Sequence, residues 1–409
     1  MKTAGVIVEL NPGHAGHAYF LHEVRRRSGA DCLVAVMSGD FVQRGEPAIF
    51  DKYVRTEMAL LCGADLVLEL PAAAACSSAQ RFAEGSAAIL DRLGVVEELW
   101  FGSEAGSTEP FLAASEALLQ ESSVFRNALK KALTKGLSYP AAREKALTHT
   151  VSPVSVSGMD TARFPLCHPN DILGLEYCLA LQKAGSSIEP HTLLRNGSPY
   201  HTSQLPESGF ASATAIRNSI LDGMPLSAFS SSVPASLTSL YERTLQESVP
   251  VRLDDFSAML LYQLRKETSG SLCRYLDVPE ELANRITNLL NGFSSLSSFA
   301  QQLKTKNRTL SQIRRALLHI LLGITPRDLE IALHPEYVRV LGFSDIGSSL
   351  LSSIKERGQI TLVSKASALS SYSSERDVFA SRLYESVRSL KAGTTAIDEF
   401  RRGVINYQG

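Results

Sequence analysis

Two histidines three residues apart, His14 and His17, are the first side chains in this sequence whose types and spacing suit chemistry. They stand in Asn11-Pro12-Gly13-His14-Ala15-Gly16-His17, between the β-type run Val6-Ile7-Val8 and an amphipathic stretch from about His17 to Ser28. A strand-to-helix turn offers unpaired backbone N–H groups and the positive end of a helix dipole, and Gly16 lets a ligand approach the backbone closely. Two imidazoles on such a turn converge on one anion, and polyphosphate is the natural guest. A bare H-x-x-H also arises when one histidine caps the helix and the other faces water, so it is the placement that carries the reading. Zinc requires a third ligand. His22 lies nearby, but no carboxylate or cysteine shares the spacing, so no metal site is assigned to the pair.

The elements that must hold this turn follow from the rhythm of the first 223 residues. Val6-Ile7-Val8, Leu33-Val34-Ala35-Val36, Leu66-Val67-Leu68 and Leu99-Trp100-Phe101 alternate with longer amphipathic segments, and Ile188 to Leu194 reads as a further strand. That alternation predicts βαβ units on a parallel sheet, with the ligand site outside the carboxyl ends of the strands. The first helix should bury Phe20, Leu21 and Val24. Ser212-Ala213-Thr214-Ala215-Ile216-Arg217 reads as a helix start, capped by Ser212 or Thr214. Residues 109 to 150 are helical and basic, with Arg126, Lys130, Lys131 and Lys135 close together, and Val151-Ser152-Pro153 ends the pattern. We therefore expect an α/β parallel-sheet domain over residues 1–223. A Ser-rich linker from Phe229 to Leu240 and a mainly α-helical C-terminal domain over 224–409 follow, with Val338 to Leu341 a candidate strand.

Composition narrows the function classes. The chain has 409 residues, 44% of them hydrophobic, and 41 Lys+Arg against 42 Asp+Glu for a net charge of −1. No global field draws it to nucleic acid or membrane, so an RNA site must be a local basic patch. Six scattered cysteines without a C-x-x-C pair argue against a zinc ribbon or a disulfide framework and for a reducing, cytoplasmic setting. The apolar run after Met1-Lys2-Thr3 is broken by Glu9, too early for a signal-peptide core. The greasiest stretches contain Glu69 and His319 and fall short of a bilayer span.

The histidine turn resembles the H-x-G-H signature of the nucleotidyltransferase superfamily, and Ser212 to Arg217 resembles its second phosphate loop, with hydroxyls and a guanidinium suited to a triphosphate. Further motifs narrow the resemblance. These are Ser38-Gly39-Asp40-Phe41-Val42-Gln43-Arg44-Gly45-Glu46-Pro47-Ala48, Asp51-Lys52 with Arg55, Gly63-Ala64-Asp65-Leu66-Val67-Leu68-Glu69-Leu70-Pro71, Phe101-Gly102-Ser103-Glu104, Pro169-Asn170-Asp171-Ile172-Leu173-Gly174 and Tyr200-His201. Together they resemble the bacterial tRNA(Met) cytidine acetate ligase family over essentially the whole chain. The resemblance implies a Rossmann-like (HUP, nucleotidyltransferase) fold and an ATP-dependent enzyme. That enzyme makes acetyl-adenylate from acetate, releases pyrophosphate, and acetylates the wobble cytidine of elongator tRNA(Met) to N4-acetylcytidine without acetyl-CoA.

Carried over position by position, the resemblance implies an ATP pocket at Ile7, Val8, Glu9, Leu10, Asn11, Pro12, Gly13, His14, Ala15, Gly16, His17, Ala18, Tyr19, Phe20, Gly102, Asn170 and Arg195, with Ser212 and Thr214 as further contacts. Gly13 stands where the family usually has an aromatic residue, which loosens packing beside the histidines. Asp40 stands where it usually has Asn, which adds negative charge near the phosphates. His14, His17 and Arg217 are the expected catalytic groups, meeting charge that develops on phosphate oxygens. Lys52 and Arg44 are weaker candidates for neutralising pyrophosphate, and Mg²⁺ is expected with ATP. Asp40 and Glu46 are available as bases, although holding their loop by hydrogen bonds is the simpler role.

From residue 301 to 327 the chain carries Lys304, Lys306, Arg308, Arg314, Arg315 and Arg327 and no acidic residue. A stripe of Ile313, Leu317, Ile320 and Leu321 should be buried there, leaving Gln312, Arg315 and His319 on a face able to track tRNA phosphates. Two rival readings remain open at this stage: a nucleotidyltransferase acting on a small phosphorylated metabolite, and a nucleotide-regulated RNA-binding protein without catalysis. Homo-oligomerisation is open as well.

Overall fold

The computed structural model describes residues 1–137, 139–151, 168–195, 211–371 and 375–408. Tyr200, His201, Cys167 and the expected break at Ser152-Pro153 lie outside them. Ten strands are present among the described residues: β1 (Thr3–Val8), β2 (Cys32–Ser38), β3 (Phe41–Val42), β4 (Glu46–Pro47), β5 (Leu66–Leu70), β6 (Glu98–Ser103), β7 (Glu189–Leu194), β8 (Tyr337–Ser344), β9 (Thr361–Val363) and β10 (Ile405–Tyr407). Strands β5-β2-β1-β6-β7 run parallel, and β8 joins the β5 edge antiparallel, itself flanked by β9 and β10. β3 and β4 form a separate small antiparallel hairpin.

The parallel strands are buried on both faces because their residues alternate between two cores. Val34 and Val36 of β2 face one core, where Phe82 and Ile89 of the helix Ala79–Arg92 and Tyr177 of the helix Pro169–Ala184 pack. Leu33, Ala35 and Met37 face the other. That core takes Leu21 and Val24 of helix α1 (Ala15–Ser28), Met58 and Leu60 of helix α2 (Lys52–Leu61), and Ile216 of the helix Ala213–Leu221.

The chain does not come apart at Gly223 into a sheet and a helical half. The first core runs on without a break into Phe256, Phe299, Ile313 and Leu317 of the later helices. The expected Ser-rich linker is packed: Phe229, between two short 3-10 turns, and Leu237, in a third, are fully buried in the second core with Tyr241 of the helix Thr238–Glu247 that follows. Late strands β8 and β10 complete the sheet, so both parts of the sequence build one layer. Among the described residues no helix is long and apolar enough to cross a membrane.

An ion cluster ties these distant segments together. The Lys52 ammonium of α2 is 1% exposed and lies 2.7 Å from Glu69 Oε1 of β5 and 2.7 Å from Glu399 Oε1, and it donates to Ser381 Oγ at 2.8 Å. Arg339 of β8 donates to Glu399 and to the Tyr53 hydroxyl. Breaking a buried ion pair from one side strands the other charge, which costs about 3–5 kcal/mol. Lys52→Ala is therefore expected to lower unfolding free energy by about that amount in denaturant titration. A loss below about 1 kcal/mol would mean that the cluster is wet.

Candidate active site

Reading the parallel strands across the sheet, the order turns back at β1, so a crevice opens at the carboxyl ends of β1 and β6, where open α/β sheets bind ligands. The pocket lies there. Its floor is Ile7 to Asn11 at the end of β1, and its walls include Phe101 and Gly102 of β6 and Leu193 to Arg195 at the end of β7. Two helix N-termini open on it, α1 through His14, Gly16 and His17, and Ala213–Leu221 through Ser212, Ala213 and Thr214. Both bring a positive dipole end to the same space.

His14 is the N-cap of α1, its Nδ1 accepting the Gly16 N–H at 3.1 Å. That bond leaves the proton on Nε2, which becomes a donor. The His17 ring lies beside it, tilted by 41° with centroids 4.0 Å apart. Burial, with His17, Arg195 and Arg217 nearby, holds His14 well below the usual histidine range, and burial followed by Arg195 brings His17 down to about 3. Both imidazoles are neutral at pH 7 and act as hydrogen-bonding groups, while fixed positive charge comes from guanidinium groups. Arg217 donates to the Asn11 carbonyl at 2.6 Å and to Thr214 Oγ1 at 3.1 Å, clamping the turn to the second helix start. Ser212 Oγ caps that helix by accepting the Ala215 N–H. Arg195 lies 3.4 Å from Glu104 Oε1, to which Asn170 Nδ2 donates at 2.7 Å, so the ends of β6 and β7 and the start of the helix Pro169–Ala184 form one network.

Most residues carried into the ATP pocket from sequence line this cavity: Ile7 to Asn11, His14, Gly16, His17, Tyr19, Phe20, Gly102, Asn170, Arg195, Ser212 and Thr214, with Arg217 and Arg44. Pro12, Gly13, Ala15 and Ala18 are not among its lining. Gly13 turns away from it. Its N–H meets Met58 Sδ, its carbonyl accepts from the Tyr241 hydroxyl at 2.6 Å, and a Cβ there would stand 3.1 Å from Met58 and 3.2 Å from Leu237. Packing at this position is tight, contrary to the expected loosening. Gln43, Phe82, Tyr177 and Leu193 also line the pocket. Sequence reasoning did not place them in it, although Gln43 sits inside a quoted motif.

Other expectations are corrected. Lys52 cannot reach pyrophosphate, because it is sealed in the ion cluster. Arg55 is fully buried and donates to the carbonyls of Phe50, Glu9 and Gly39. On the helix Leu310–Leu322 the apolar stripe is buried as expected, but of the supposed phosphate-tracking face only Gln312 is exposed, while Arg315 and His319 are buried too. Arg315 is 8% exposed, and His319 is wedged between the Leu276 and Cys76 carbonyls. Arg314 pairs with Glu46 at the pocket rim and Arg308 with Glu281, whereas Lys304 and Lys306 are exposed. Gly45, at φ +76°, lies against the Arg314–Arg315 backbone, where a Cβ would come within 2.6 Å of the Arg315 nitrogen.

The HIGH Nucleotidyl Transferase family model matches residues 1–397. The chain is 40% identical over 390 residues to the tRNA(Met) cytidine acetate ligase of Caldanaerobacter subterraneus subsp. tengcongensis, covering 94% of this chain and 95% of that one. This chain belongs to the tRNA(Met) cytidine acetate ligase family. It is also 38% identical over 375 residues to the ligase of that name from Acetivibrio thermocellus, covering 90% and 89%. Among solved structures it is similar to Thermotoga maritima TmcAL in its apo form (TM-score 0.91) and bound with alpha-thio ATP (TM-score 0.88), each 31% identical and covered in full on both sides. As a member of this ligase family the protein is an enzyme, and its mostly parallel sheet has the nucleotidyltransferase architecture.

Asp40, expected to add negative charge at the pocket, does not line it. It is 5% exposed, and its Oδ1 accepts the Lys52 N–H at the start of α2 at 2.8 Å. Burial pushes its carboxyl up to about 7, against the pull of Lys52. The folded chain thus keeps a proton that the unfolded chain releases near pH 4, and stability from this group is lost as pH rises through about 7. Asp40→Asn keeps the acceptor and removes the charge. Its melting temperature should exceed that of the unaltered protein by more at pH 8 than at pH 5, as read by calorimetry at both values.

Proposed function

We propose that this protein is an ATP-dependent tRNA(Met) cytidine acetate ligase that activates acetate as acetyl-adenylate and transfers the acetyl group to N4 of the wobble cytidine in elongator tRNA(Met). The observation that carries the reading is the convergence of the His14–His17 turn and the Ser212–Arg217 helix start on one pocket at the switch point, in a chain of this ligase family. The Thermotoga maritima TmcAL structure that is similar over the full chain is bound with alpha-thio ATP, which supports ATP as the nucleotide.

In this reading an acetate oxygen attacks the α-phosphorus and pyrophosphate leaves. Charge builds on the non-bridging and leaving oxygens, and catalysis is positioning plus fixed electrostatics. His14 Nε2–H and the His17 ring meet the phosphate oxygens as neutral groups, and Arg217 both fixes the turn and supplies charge. Mg²⁺ enters as the counterion of the triphosphate, as is usual for nucleotides. The apolar wall of Phe101, Leu173 and Leu193 suits a nucleobase. Lys304 and Lys306, both exposed members of the basic segment, are assigned to tRNA phosphates.

The test is mass spectrometry of elongator tRNA(Met) nucleosides after incubation with ATP, Mg²⁺ and isotopically labelled acetate. Labelled N4-acetylcytidine is expected, and its absence together with absent acetate-dependent pyrophosphate exchange sinks the proposal. His14→Ala and His17→Ala should each lower that exchange by about 100-fold or more with circular dichroism unchanged. Replacing Lys304 and Lys306 by Ala should weaken tRNA binding and reduce the slope of log affinity against log salt by about 2.

A further inference from the structure

Acetyl transfer to cytidine needs a base, because the exocyclic amine is a weak nucleophile that must lose a proton as the amide forms. Among the described residues lining the pocket two are acidic, Glu9 and Glu46. Glu46 is engaged by Arg314 at the rim. Glu9 lies on the floor at the end of β1, five residues before His14. Its Oε1 accepts the Gln43 N–H at 2.8 Å and the Ser38 hydroxyl at 3.0 Å, and no hydrogen bond reaches Oε2 from the described residues. A carboxylate on the floor of a triphosphate pocket opposes nucleotide binding by charge, and a neutral acceptor would hold Ser38 and Gln43 as well. Neither task calls for an acid at this position.

We propose that Glu9 is the general base of the acetyl-transfer half-reaction. The cytidine N4 lone pair forms the C–N bond to the acetyl carbonyl carbon. The mixed-anhydride C–O bond breaks with its electron pair leaving on the AMP phosphate, and one N4 proton passes to Glu9 and then to solvent. The histidines are poorer acceptors: His14 Nδ1 is taken by Gly16, and His17 is held down to about 3. Burial raises the Glu9 carboxyl above its ordinary value, against the bonds from Gln43 and Ser38 and the charges of Arg55 on α2 and Arg217 on the helix Ala213–Leu221. Tyr177 and Cys76 also feel its charge. A raised carboxyl is a stronger base for this transfer.

This inference rests on the ligase reading, and one experiment separates the two. Glu9→Gln keeps an acceptor for Ser38 and Gln43. In single turnover with ATP, acetate and tRNA, its acetyl-transfer rate should fall about 100-fold more than its acetate-dependent pyrophosphate exchange, and the acid limb of the transfer pH profile should flatten. Ser38→Ala removes one bond to the carboxylate and should move that limb to higher pH while sparing the plateau. Equal losses of exchange and transfer in Glu9→Gln, or transfer at the unaltered rate, overturn the proposal for Glu9 alone. Absence of both acetylcytidine and acetate-dependent pyrophosphate exchange with the unaltered protein overturns the ligase reading and the base together.

Discussion

The Lys52 ammonium is the point on which the architecture turns. Glu69 and, from the far end of the chain, Ser381 and Glu399 meet around it in a buried site. Desolvating those charges is costly unless every partner is present, so the cluster forms only when β5, α2, the helix Glu375–Ala392 and the segment around Glu399 assemble together. It fixes the edge of the sheet where β8 pairs with β5, and the start of α2 whose N–H groups Asp40 and Asp51 hold. The hairpin beside the pocket lies between those two anchors. Residues that do not line the pocket therefore help set its shape.

Inside the pocket the division of labour is electrostatic. The imidazoles are neutral and directional, and the charge is carried by Arg217 and Arg195, each tied to backbone or carboxylate groups around the same opening. A guanidinium keeps its proton at any working pH, whereas desolvation removes the charge from a histidine. Such a site gives up little as its charge changes during reaction, because its donors are already aimed before the ligand arrives.

What the sequence made legible was local. Val34 and Leu66 to Leu68 lie in unbroken apolar runs, which a doubly covered parallel strand requires, and the turn between β1 and α1 carries its histidines within four residues. The pairing of β8 with β5 could not be read, since Leu66 meets Phe343 across 277 residues and no local pattern encodes that register. Lys52, Arg55 and His319 look like surface residues in composition and are buried, because backbone carbonyls or carboxylates from other elements meet them. Phe229 and Leu237 were masked by the serines around them. Glu9 was hidden differently: it was one of fourteen consecutive positions carried over as a block, and only its charge on the pocket floor and its two donors set it apart from its neighbours.

The contact at Gly45 gives the small hairpin a role of spacing. One glycine without a side chain lets β3 and β4 lie flat on the helix Leu310–Leu322, and the Glu46–Arg314 pair pins the next residue across the same seam. Arg44 and Glu46, on either side of Gly45, line the pocket, so a side chain at position 45 would lift both off the helix together, and this glycine works as the gauge of that seam.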